Sequence, residues 1–528
     1  MNNCNNCLTI HSSHNGSVSI SVDNELIVHT EISRFNKFKY SPLPSFELIE
    51  KINSLNIVFD TILITYQFDN CLGLWKDFVK KYINKTENCK ILFSNEHHLF
   101  HAACALTFSS DENIIVWDQE GKIENFGEFE ACENFTFYNN KLKKNFQELY
   151  TNSYINKKIN NLYISNEIGL GDAYSFLCYK LGLKKNDNFP EGKAMALSSF
   201  GSFDKIEYNK LLENYNFNKN YVWNTFLDHN KNYEDYNNFL LKDFNDTKTK
   251  NFVYTFQKCF EELSLKKIES LNIQNFTATG GVSQNILNNS NLAKSFNLKV
   301  DPMCNDQGIS LGSLNTLNNN NLKRKHPIYL GFEPKYDLSI FDMNFKIINS
   351  TVNEISKILF NEPIAIFQGR SEQGQRALGN RSLLINPCLK NCIKIINTIK
   401  KREWYRTFAC SILNEKFSDY FENPNNTDPR FMMFVYKAKK EKIDILKNVI
   451  SPENLSRVQT VSANDNLNYY NLLNIFNKNF NIPFILNTSL NKPGDVIVED
   501  LNDLKRLMLK TPLKYAYLPD INKVIKKI

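Results

Sequence analysis

The chain has 528 residues, of which 42% are hydrophobic and 23% are charged, and its formal net charge is +7. This length exceeds what a single hydrophobic core supports, so two or more domains are expected, and the composition excludes a disordered or fibrous protein. The mild excess of basic residues does not indicate a nucleic-acid partner.

The sequence shows no segment that would direct the chain to a membrane. No run of eighteen apolar residues predicts a transmembrane helix. The first residues, "MNNCNNCLTIHSSHNG", lack the basic and apolar regions of a signal peptide. The 12 cysteines are scattered, which predicts reduced thiols and not a disulfide framework. We therefore expect a cytoplasmic protein without a membrane partner.

The first part of the chain alternates strand patterns with turns. The segment "CLTIHSSHNGSVSISVDNELIVHTEISR" predicts three strands separated by turns at Asn15-Gly16 and Asp23-Asn24. A helix over "PSFELIEKINSLN", a buried strand over "NIVFDTILITY" and another strand over "NCKILFSNEHH", which runs into the histidine segment, are predicted next. Hairpins followed by strand–helix alternation indicate an α/β domain.

The segment "EHHLFHAA" holds three of the chain's eight histidines. On a helix, residues four apart share a face, so His97 and His101 point the same way and His98 points about 100° aside. Two imidazoles at this spacing are a recurrent way to hold a transition metal. The alternative is a packed or solvated helix face that carries histidines by chance.

Two aspartates are candidates to complete such a site. Asp118 ends the buried strand pattern "IIVWD", and Asp306 lies in a loop that opens a helix. A mixed nitrogen and oxygen set suits non-haem iron, manganese or zinc better than calcium. For each aspartate the alternative is an ordinary helix cap or turn residue, and for Asp306 alone this alternative is favoured.

A pair of glycines indicates where a nucleotide phosphate could bind. Gly280-Gly281 stands between a predicted strand and helix, an arrangement that can cradle a phosphate, although most such pairs are simply turns.

The polar region from about 205 to 250 is predicted to be an insertion or a helical subdomain. The segment "NNNNLKRKHPIYLG" is the best linker candidate, and we place a domain boundary near residue 335.

The second predicted domain carries a dense group of basic residues between glycines. Guanidinium groups bind phosphate through two hydrogen bonds, so the group predicts an anion pocket. A solvated basic face or an RNA-binding surface is the alternative, and we favour a pocket because the charges alternate with glycines and apolar residues. The residues are Arg370, Arg376, Arg381, Lys400, Arg402 and Arg406.

A series of motifs resembles those of the nodulation-factor and antibiotic O-carbamoyltransferases, in the same order and over nearly the entire chain. The motifs are "EHHLFHAACALTF", "EGKAMALSSFG", "TGGVSQN", "NDQGISLGS", "GRSEQGQRALGNRSLL", "KKREWYRTFACSIL", "SRVQTV" and "LNTSLNKPGDVIV". The resemblance implies an α/β fold with an actin/sugar-kinase-type (ASKHA) domain over residues 1–335. It implies a YrdC-like α/β domain over residues 340–528.

The resemblance also implies site residues. Iron as Fe(II), or another divalent transition metal, is expected on His97, His101, Asp118 and Asp306, and His14 is expected to be the acceptor-side base. Lys400, Arg406 and Arg457 are expected to be catalytic. Carbamoyl phosphate is expected on Arg370, Arg376, Lys400, Arg406, Arg457, Asn487 and Ser489. For the nucleotide we expect Gly171, Lys193, Gly280, Gly281 and Asn285.

The implied activity is ATP-dependent O-carbamoyl transfer. Carbamoyl phosphate is the expected donor, carbamoyl-adenylate the intermediate, ATP with Mg the co-substrate, and a hydroxyl of a small molecule or sugar the acceptor. Two alternatives are a threonylcarbamoyl-type tRNA-modifying enzyme, which the mild charge disfavours, and a non-catalytic nucleotide-binding homologue. The acceptor, the metal and a homodimeric state are left open.

The chain departs from the family motifs at several positions. Asn15 replaces an aspartate, Gln375 precedes Arg376 in place of a proline, and Thr407 and Cys410 also replace prolines. The segment Ser451–Ser456 lacks the histidine, aspartate and glycine of the family motif. Because the anion-binding basic residues are kept, we expect the carbamoyl-transfer chemistry to be kept. We expect these substitutions to affect the acceptor pocket and the rate of the reaction.

Overall fold

The computed structural model describes residues 6–67, 71–119, 128–151, 158–159, 162–163, 167–183, 189–213, 215–216, 222–224, 241 and 243–528. The chain forms two compact units, one of residues 1–94 with 306–528 and the other of residues 95–305. The expected boundary near residue 335 falls inside the first unit, and the division into residues 1–335 and 340–528 stays a prediction. Half of the predicted insertion from 205 to 250 lies outside the described residues.

The first unit contains a five-stranded sheet. The strand Ser17–Val22 pairs antiparallel with both Asn6–His11 and Glu25–Glu31. The strand Asn6–His11 also pairs parallel with Phe59–Thr65, which in turn pairs parallel with Lys85–Ser94. Asp23 and Asn24 form the tight turn that the sequence predicts, with φ of 49° and 63°. In sheet order the strands are Glu25–Glu31, Ser17–Val22, Asn6–His11, Phe59–Thr65 and Lys85–Ser94.

A polar contact joins this sheet to the helix Ile309–Leu317. Thr9 Oγ1 donates to the backbone oxygen of Ser310 at 2.6 Å. The hydroxyls of Ser17 and Ser19 lie 2.7 and 2.8 Å from the Ser310 hydroxyl. Small hydroxyl side chains let helix and sheet approach closely while satisfying one another's hydrogen bonds. These contacts fix the helix Ile309–Leu317 to the first sheet.

The second sheet of the first unit has ten strands. It mixes parallel and antiparallel pairs, and its central strands are buried along their whole length. In sheet order the strands are Phe345–Asn349, Lys523–Lys527, Tyr515–Leu518, Ile364–Phe367, Arg381–Ile385, Phe484–Ser489, Ala409–Leu413, Leu455–Val461, Val435–Ala438 and Phe421–Glu422.

Four of the α-helices of the first unit begin at a side-chain cap. Ser45 accepts a hydrogen bond from the backbone of Leu48, and Thr351 with Glu354 forms a capping box. The α-helices are Ser33–Asn36, Phe46–Asn53, Leu72–Tyr82, Ile309–Leu317, Val352–Asn361, Cys392–Lys400, Phe417–Tyr420, Ile443–Leu446, Leu467–Phe480 and Leu501–Lys510. Short 3-10 helices are Asp306–Gly308, Leu338–Ile340, Asn414–Lys416, Pro429–Phe431, Lys440–Lys442 and Pro519–Ile521.

The second unit is built on another five-stranded sheet. Its order is Asn297–Val300, Asn275–Thr279, Asn113–Trp117, Glu128–Tyr138 and Lys141–Thr151, with the first three parallel and the last two antiparallel. Its short strands are Lys158–Ile159, Leu162–Tyr163, Glu167–Ile168, Tyr215–Asn216 and Val222–Asn224. Its helices are His97–Leu106, Leu170–Lys180, Glu191–Ser198, Lys205–Glu213, Thr247–Ser270 and Ile286–Leu292, with a 3-10 turn Gly281–Gln284.

These sheets and helices confirm the mixed α/β class predicted from the sequence. Among the helices of the described residues, none has both the length and the apolar character needed to cross a bilayer.

Candidate metal centre and anion pocket

The three clustered histidines lie on one short buried helix, His97–Leu106, as the pattern predicts. The ring centroids of His97 and His101 are 4.8 Å apart, whereas those of His98 and His101 are 6.4 Å apart. The helical register therefore places His97 and His101 side by side and turns His98 away, because residues four apart share a helix face.

Asp118 follows the buried strand Asn113–Trp117 and faces these two histidines. Its Oδ2 lies 3.3 Å from His97 Nε2 and 3.2 Å from His101 Nε2. The three ligand atoms lie within 4.8 Å of one another, and the three residues are buried. Atoms that bind one ion at about 2.0–2.2 Å stand roughly 3.0–3.5 Å apart. Two imidazoles and a carboxylate at this spacing fit a divalent transition metal.

Three glycines leave the space that Asp118 occupies. A Cβ at Gly281 would lie 2.6 Å from Asp118 Oδ1, and one at Gly171 would lie 2.5 Å from its backbone oxygen. Gly280 has φ of 89°, and a Cβ there would lie 2.4 Å from the oxygen of Trp117. Side chains at these positions would displace the carboxylate, so the glycines serve close packing around it.

The parallel strands explain why these groups meet. Thr279 pairs with Val116, so the residues that follow the two strands emerge at the same sheet edge. There the backbone N–H of Gly281 donates to Asp118 Oδ1 at 3.1 Å. The group that the sequence assigned to a nucleotide phosphate is thus engaged by a protein carboxylate.

Two further residues of the predicted nucleotide set have structural partners. Asn285 Oδ1 accepts the backbone N–H of Asn288 at 3.1 Å and caps the helix Ile286–Leu292. Its side chain also exchanges hydrogen bonds with Gln257 at 3.1 and 3.3 Å. Lys193 lies on the helix Glu191–Ser198. A nucleotide on this set stays a prediction.

Glu133 is a buried acid that the sequence interpretation missed. His98 Nδ1 lies 3.4 Å from Glu133 Oε2, and Lys144 Nζ lies 2.5 Å from Oε1. Burial alone would raise the pKa of Glu133, but the hydrogen bond and charge of His98, and then of Lys144, lower that pKa below its usual value. Nothing in "EFEACENFTFY" signals which acid is buried, because its partners come from other elements.

His14 and Asp306, both in the first unit, form a close pair. His14 Nε2 lies 2.6 Å from Asp306 Oδ2, and the His14 side chain is 37% exposed while that of Asp306 is 7% exposed. A carboxylate on one ring nitrogen fixes the orientation and tautomer of an imidazole. Asn15, the replacement for the family aspartate, has φ of 54° and donates its backbone N–H to Tyr40.

Lys400 is a buried ammonium at the end of the helix Cys392–Lys400. Its Nζ donates to the backbone oxygens of Ser489 and Asn491, each at 2.7 Å, and to Asn491 Oδ1 at 2.6 Å. None of these acceptors is charged, and among the described residues Lys400 forms no ion pair. Burial and the charges of Arg402 and Arg406 lower the pKa of Lys400 well below its usual value.

Arginines surround Lys400 with further positive charge. Burial and the charges of neighbouring arginines lower the pKa of Arg402 to about 9 and also lower that of Arg457. Arg402 donates to Thr488 Oγ1 at 2.9 Å. Within the part of the chain that the structure describes, Arg406 has one ion pair, with Glu403 at 3.7 Å, and its side chain is 33% exposed. We call Arg376, Lys400, Arg402, Arg406 and Arg457 the cation cluster.

Two arginines of the predicted basic group are used elsewhere. Arg370 Nε donates to Glu333 Oε1 at 2.7 Å, so its charge is already paired. Arg381 is buried and donates to the backbone oxygens of Gln368 and Gly369 at 2.6 and 3.1 Å. The first is a surface ion pair, and the second supports the glycine-rich loop from inside.

Asn487 and Ser489 stand on the same face of the strand Phe484–Ser489. Asn487 Nδ2 donates to Ala377 O and Ser411 Oγ at 3.1 and 3.0 Å, which ties the "RALG" loop to the sheet. Ser489 Oγ lies 3.2 Å from Lys400 Nζ. Ser489 therefore borders the cation cluster, whereas the amide of Asn487 holds the wall of the pocket.

Two departures from the family motifs touch one another. Cys410 Sγ lies 3.8 Å from Ser456 Oγ, and burial raises the pKa of the Cys410 thiol to about 12. Thr407 is exposed, and Gln375 Nε2 lies 3.7 Å from the sulfur of Met433. The cation cluster is kept beside these substitutions.

The chain belongs to the carbamoyltransferase family. The family model described as Carbamoyltransferase N-terminus matches residues 49–314, and the one described as Carbamoyltransferase C-terminus matches residues 355–526. The resemblance predicted from the motifs is confirmed, and the protein is an enzyme of the carbamoyltransferase class.

Relatives match over different lengths. Uncharacterized protein MJ1051 of Methanocaldococcus jannaschii is 31% identical over 369 residues, 65% of this chain and 69% of that protein. Nodulation protein NolO of Bradyrhizobium diazoefficiens is 41% identical over 148 residues, 28% of this chain and 27% of that protein. A crystal structure of full-length HypF, in its phosphate- and nucleotide-bound form, has 16% identity and a TM-score of 0.39, over 61% of this chain and 47% of that chain.

Proposed function

We propose that the protein transfers the carbamoyl group of carbamoyl phosphate, at the expense of ATP, to a hydroxyl of a small molecule or sugar. The observation that carries the proposal is the buried Lys400, whose hydrogen-bond acceptors are all uncharged and which, among the described residues, forms no ion pair while the charges of Arg402 and Arg406 stand beside it. Buried charges are normally paired, so this excess calls for an anionic ligand.

The first half-reaction belongs to the cation cluster. Water splits carbamoyl phosphate into carbamate and phosphate. A carbamate oxygen then attacks the α-phosphorus of ATP, the bond from that phosphorus to the bridging oxygen breaks, and pyrophosphate leaves. Lys400, Arg406 and Arg457 offset the negative charge that develops on the phosphoryl oxygens. The product is carbamoyl-adenylate, whose adenylate is a good leaving group. A YrdC-like origin of this region remains part of the proposal.

The second half-reaction uses His14. The acceptor oxygen attacks the carbonyl carbon of the adenylate, the bond from that carbon to the phosphate oxygen breaks, and AMP leaves. Asp306 holds His14 Nε2, so Nδ1 takes the proton of the hydroxyl.

We assign the metal to His97, His101 and Asp118; the family resemblance implies Asp306 as a further ligand and Fe(II) as the ion. A divalent ion bound there supplies Lewis-acid polarisation of the carbonyl oxygen. The residues of this chain contribute the two imidazoles and the carboxylates that hold it.

Exchange of labelled pyrophosphate into ATP tests the first half-reaction without knowledge of the acceptor. We expect exchange that requires carbamoyl phosphate, and we expect Lys400→Ala to abolish it. Arg370→Ala is the matched control, because the guanidinium of Arg370 is paired with Glu333, and it keeps most of the exchange.

Other outcomes separate the alternatives. ATP binding without any exchange indicates a non-catalytic homologue. Strongly salt-dependent binding of tRNA together with threonine-dependent turnover indicates a tRNA-modifying enzyme. A panel of hydroxyl compounds then identifies the acceptor by release of AMP.

A further inference from the structure

An exposed tryptophan stands inside the cation cluster's own loop. Trp404 is 51% exposed, whereas Trp75 and Trp117 are 0% and 3% exposed. The backbone N–H of Arg406 donates to the oxygen of Glu403 at 3.1 Å, so Trp404 lies within a tight turn. Exposing the apolar area of an indole to water costs free energy, so an exposed tryptophan is a candidate for a ligand-binding surface.

The indole is held in a defined orientation. Its ring packs against that of Tyr405 with centroids 5.6 Å apart and planes at 89°. Tyr405 is itself only 1% exposed, so it anchors the turn in the interior. Because the buried Tyr405 already restrains the indole, the indole loses little conformational entropy when a flat ligand stacks on its face.

Two arginines of the cation cluster flank this surface in the chain. Arg402 is fixed by Thr488 and by its position 4.8 Å from the Phe408 ring, and Arg406 reaches the solvent side. Cations for phosphate therefore stand two residues before and two residues after an exposed aromatic ring. A nucleotide has this same combination, with an anionic end and a flat aromatic base.

Three glycines predicted to contact the nucleotide have protein atoms close to them. The Gly281 N–H is engaged by Asp118, and Gly171 and Gly280 pack against Asp118 and Trp117. Around these three glycines, protein atoms occupy the space predicted for the phosphates.

We infer that Trp404 is the stacking platform for the nucleobase of ATP during adenylate formation, with Arg402 and Arg406 on the phosphates. This inference rests on the proposed function, since it places the same ATP in the same pocket. Stacking of a base on an aromatic side chain contributes about 1–3 kcal/mol. The contact tolerates any base, so the surface selects a nucleotide over a bare polyphosphate.

Equilibrium binding of two probes, ATP and inorganic tripolyphosphate, tests the inference. Trp404→Ala is expected to weaken ATP roughly ten- to a hundredfold and to leave tripolyphosphate, which has no base, unchanged. Trp404→Phe keeps a ring and is expected to stay within about threefold of the unchanged protein for ATP. Arg406→Ala is expected to weaken both probes.

Controls make each outcome decisive. Tyr138→Ala removes another exposed aromatic, 73% exposed and outside the cluster, and is expected to change neither probe. Thermal unfolding of the Trp404 variants checks that the turn still folds, and Trp404→Phe carries the test if the alanine variant does not fold. Equal loss of both probes in Trp404→Ala, or an unchanged ATP affinity, overturns the inference.

The same measurements separate this inference from the proposed function. If Trp404→Ala leaves the ATP affinity unchanged while the unchanged protein shows carbamoyl-phosphate-dependent pyrophosphate exchange, the proposed function is supported and the stacking role of Trp404 is refuted. If the unchanged protein binds neither ATP nor tripolyphosphate, the proposed function itself fails, and the platform fails with it.

Discussion

His98 Nδ1 lies 3.4 Å from Glu133 Oε2, and this contact ties the histidine helix to the neighbouring strand. The side chain of Glu133 is 0% exposed, so its charge depends on His98 on one side and Lys144 on the other. The helix that carries His97 and His101 is therefore anchored through His98, which points about 100° away from His97.

Removal of Glu133 is expected to destabilise the second unit. Glu133→Ala removes the carboxylate beside the buried His98, which typically costs about 1–3 kcal/mol, whereas the side chain of Lys144 is 35% exposed and can turn to solvent. The measurement is the free energy of unfolding in urea. Glu87→Ala, at an exposed acid, is the matched control and should change stability by less than about 0.5 kcal/mol. Equal stabilities for the two variants would show that the Glu133 contacts contribute nothing.

Metal content should separate the three histidines. His97→Ala and His101→Ala each remove an imidazole from the set around Asp118, and each is expected to lose most of the bound metal. His98→Ala is expected to keep it, because His98 faces Glu133. Elemental analysis of the purified variants decides this. A His98 variant that loses metal while the His97 variant retains it would refute the assignment.

Adding a methyl group at Gly281, beside Asp118, should also weaken metal binding. Gly281→Ala places a Cβ 2.6 Å from Asp118 Oδ1, closer than such atoms approach, so the carboxylate must shift and metal affinity should fall at least tenfold. Gly73→Ala, on the helix Leu72–Tyr82, meets nothing within 4 Å. That control should bind metal normally and gain about 0.5–1 kcal/mol in stability. Equal metal affinities would contradict the packing argument.

Two arginines with different partners should respond differently to carbamoyl phosphate. Arg406 is opposed only by a carboxylate at 3.7 Å, whereas Arg370 is bonded to Glu333 at 2.7 Å. Loss of a charge-assisted phosphate contact typically costs about 1.5–3 kcal/mol, so Arg406→Ala should weaken binding roughly ten- to a hundredfold. Arg370→Ala should change it less than about twofold. Calorimetric titration with carbamoyl phosphate measures both, and the reverse order would exclude the pocket.

Phosphate binding should take up a proton in alkaline solution. The pKa of Lys400 is lowered in the free protein, so between that lowered value and its usual value of 10.5 the folded amine is neutral. An anion beside it favours the ammonium, so affinity falls as pH rises through the lowered pKa. The unfolded chain binds more protons in this window, so the stability of the free protein rises with pH there.

Heats of inorganic phosphate binding in two buffers of different ionisation enthalpy measure this uptake. The heats should differ for the unchanged protein, and the difference should be smaller for Lys400→Ala, in which Arg402, with a pKa of about 9, still takes up a proton. Buffer-independent heats for the unchanged protein throughout the alkaline range would mean that Lys400 stays charged without a ligand.

Local spacing was enough to predict part of this architecture. The pair His97 and His101 follows from helical periodicity, and Asp118 follows from its place at the end of a buried strand. Both are properties of a few consecutive residues, and long-range packing then preserves them. The turn at Asp23-Asn24 was predictable for the same reason, since these residue types accept positive φ.

Pairing across the chain was not predictable in this way. Arg370 and Arg406 look alike in sequence, and only the fold shows that Glu333 neutralises the first. Glu133 likewise resembles other acids of its strand, and its burial depends on His98 and Lys144 from other elements. A single sequence carries no record of which distant residue meets which.

The first unit is assembled from two stretches of chain that flank the second, and this has a consequence for its order of synthesis. The sheet that begins at Asn6 cannot receive the helix Ile309–Leu317 until roughly 210 intervening residues have been made. At 5–20 residues per second the early strands wait on the order of 10–40 s with one face uncovered. The second unit, continuous from residue 95 to 305, has all of its own strands before then. A nascent chain stalled when residue 305 has left the ribosome and the helix Ile309–Leu317 has not should therefore resist protease over the second unit and be cleaved readily within its first ninety-four residues.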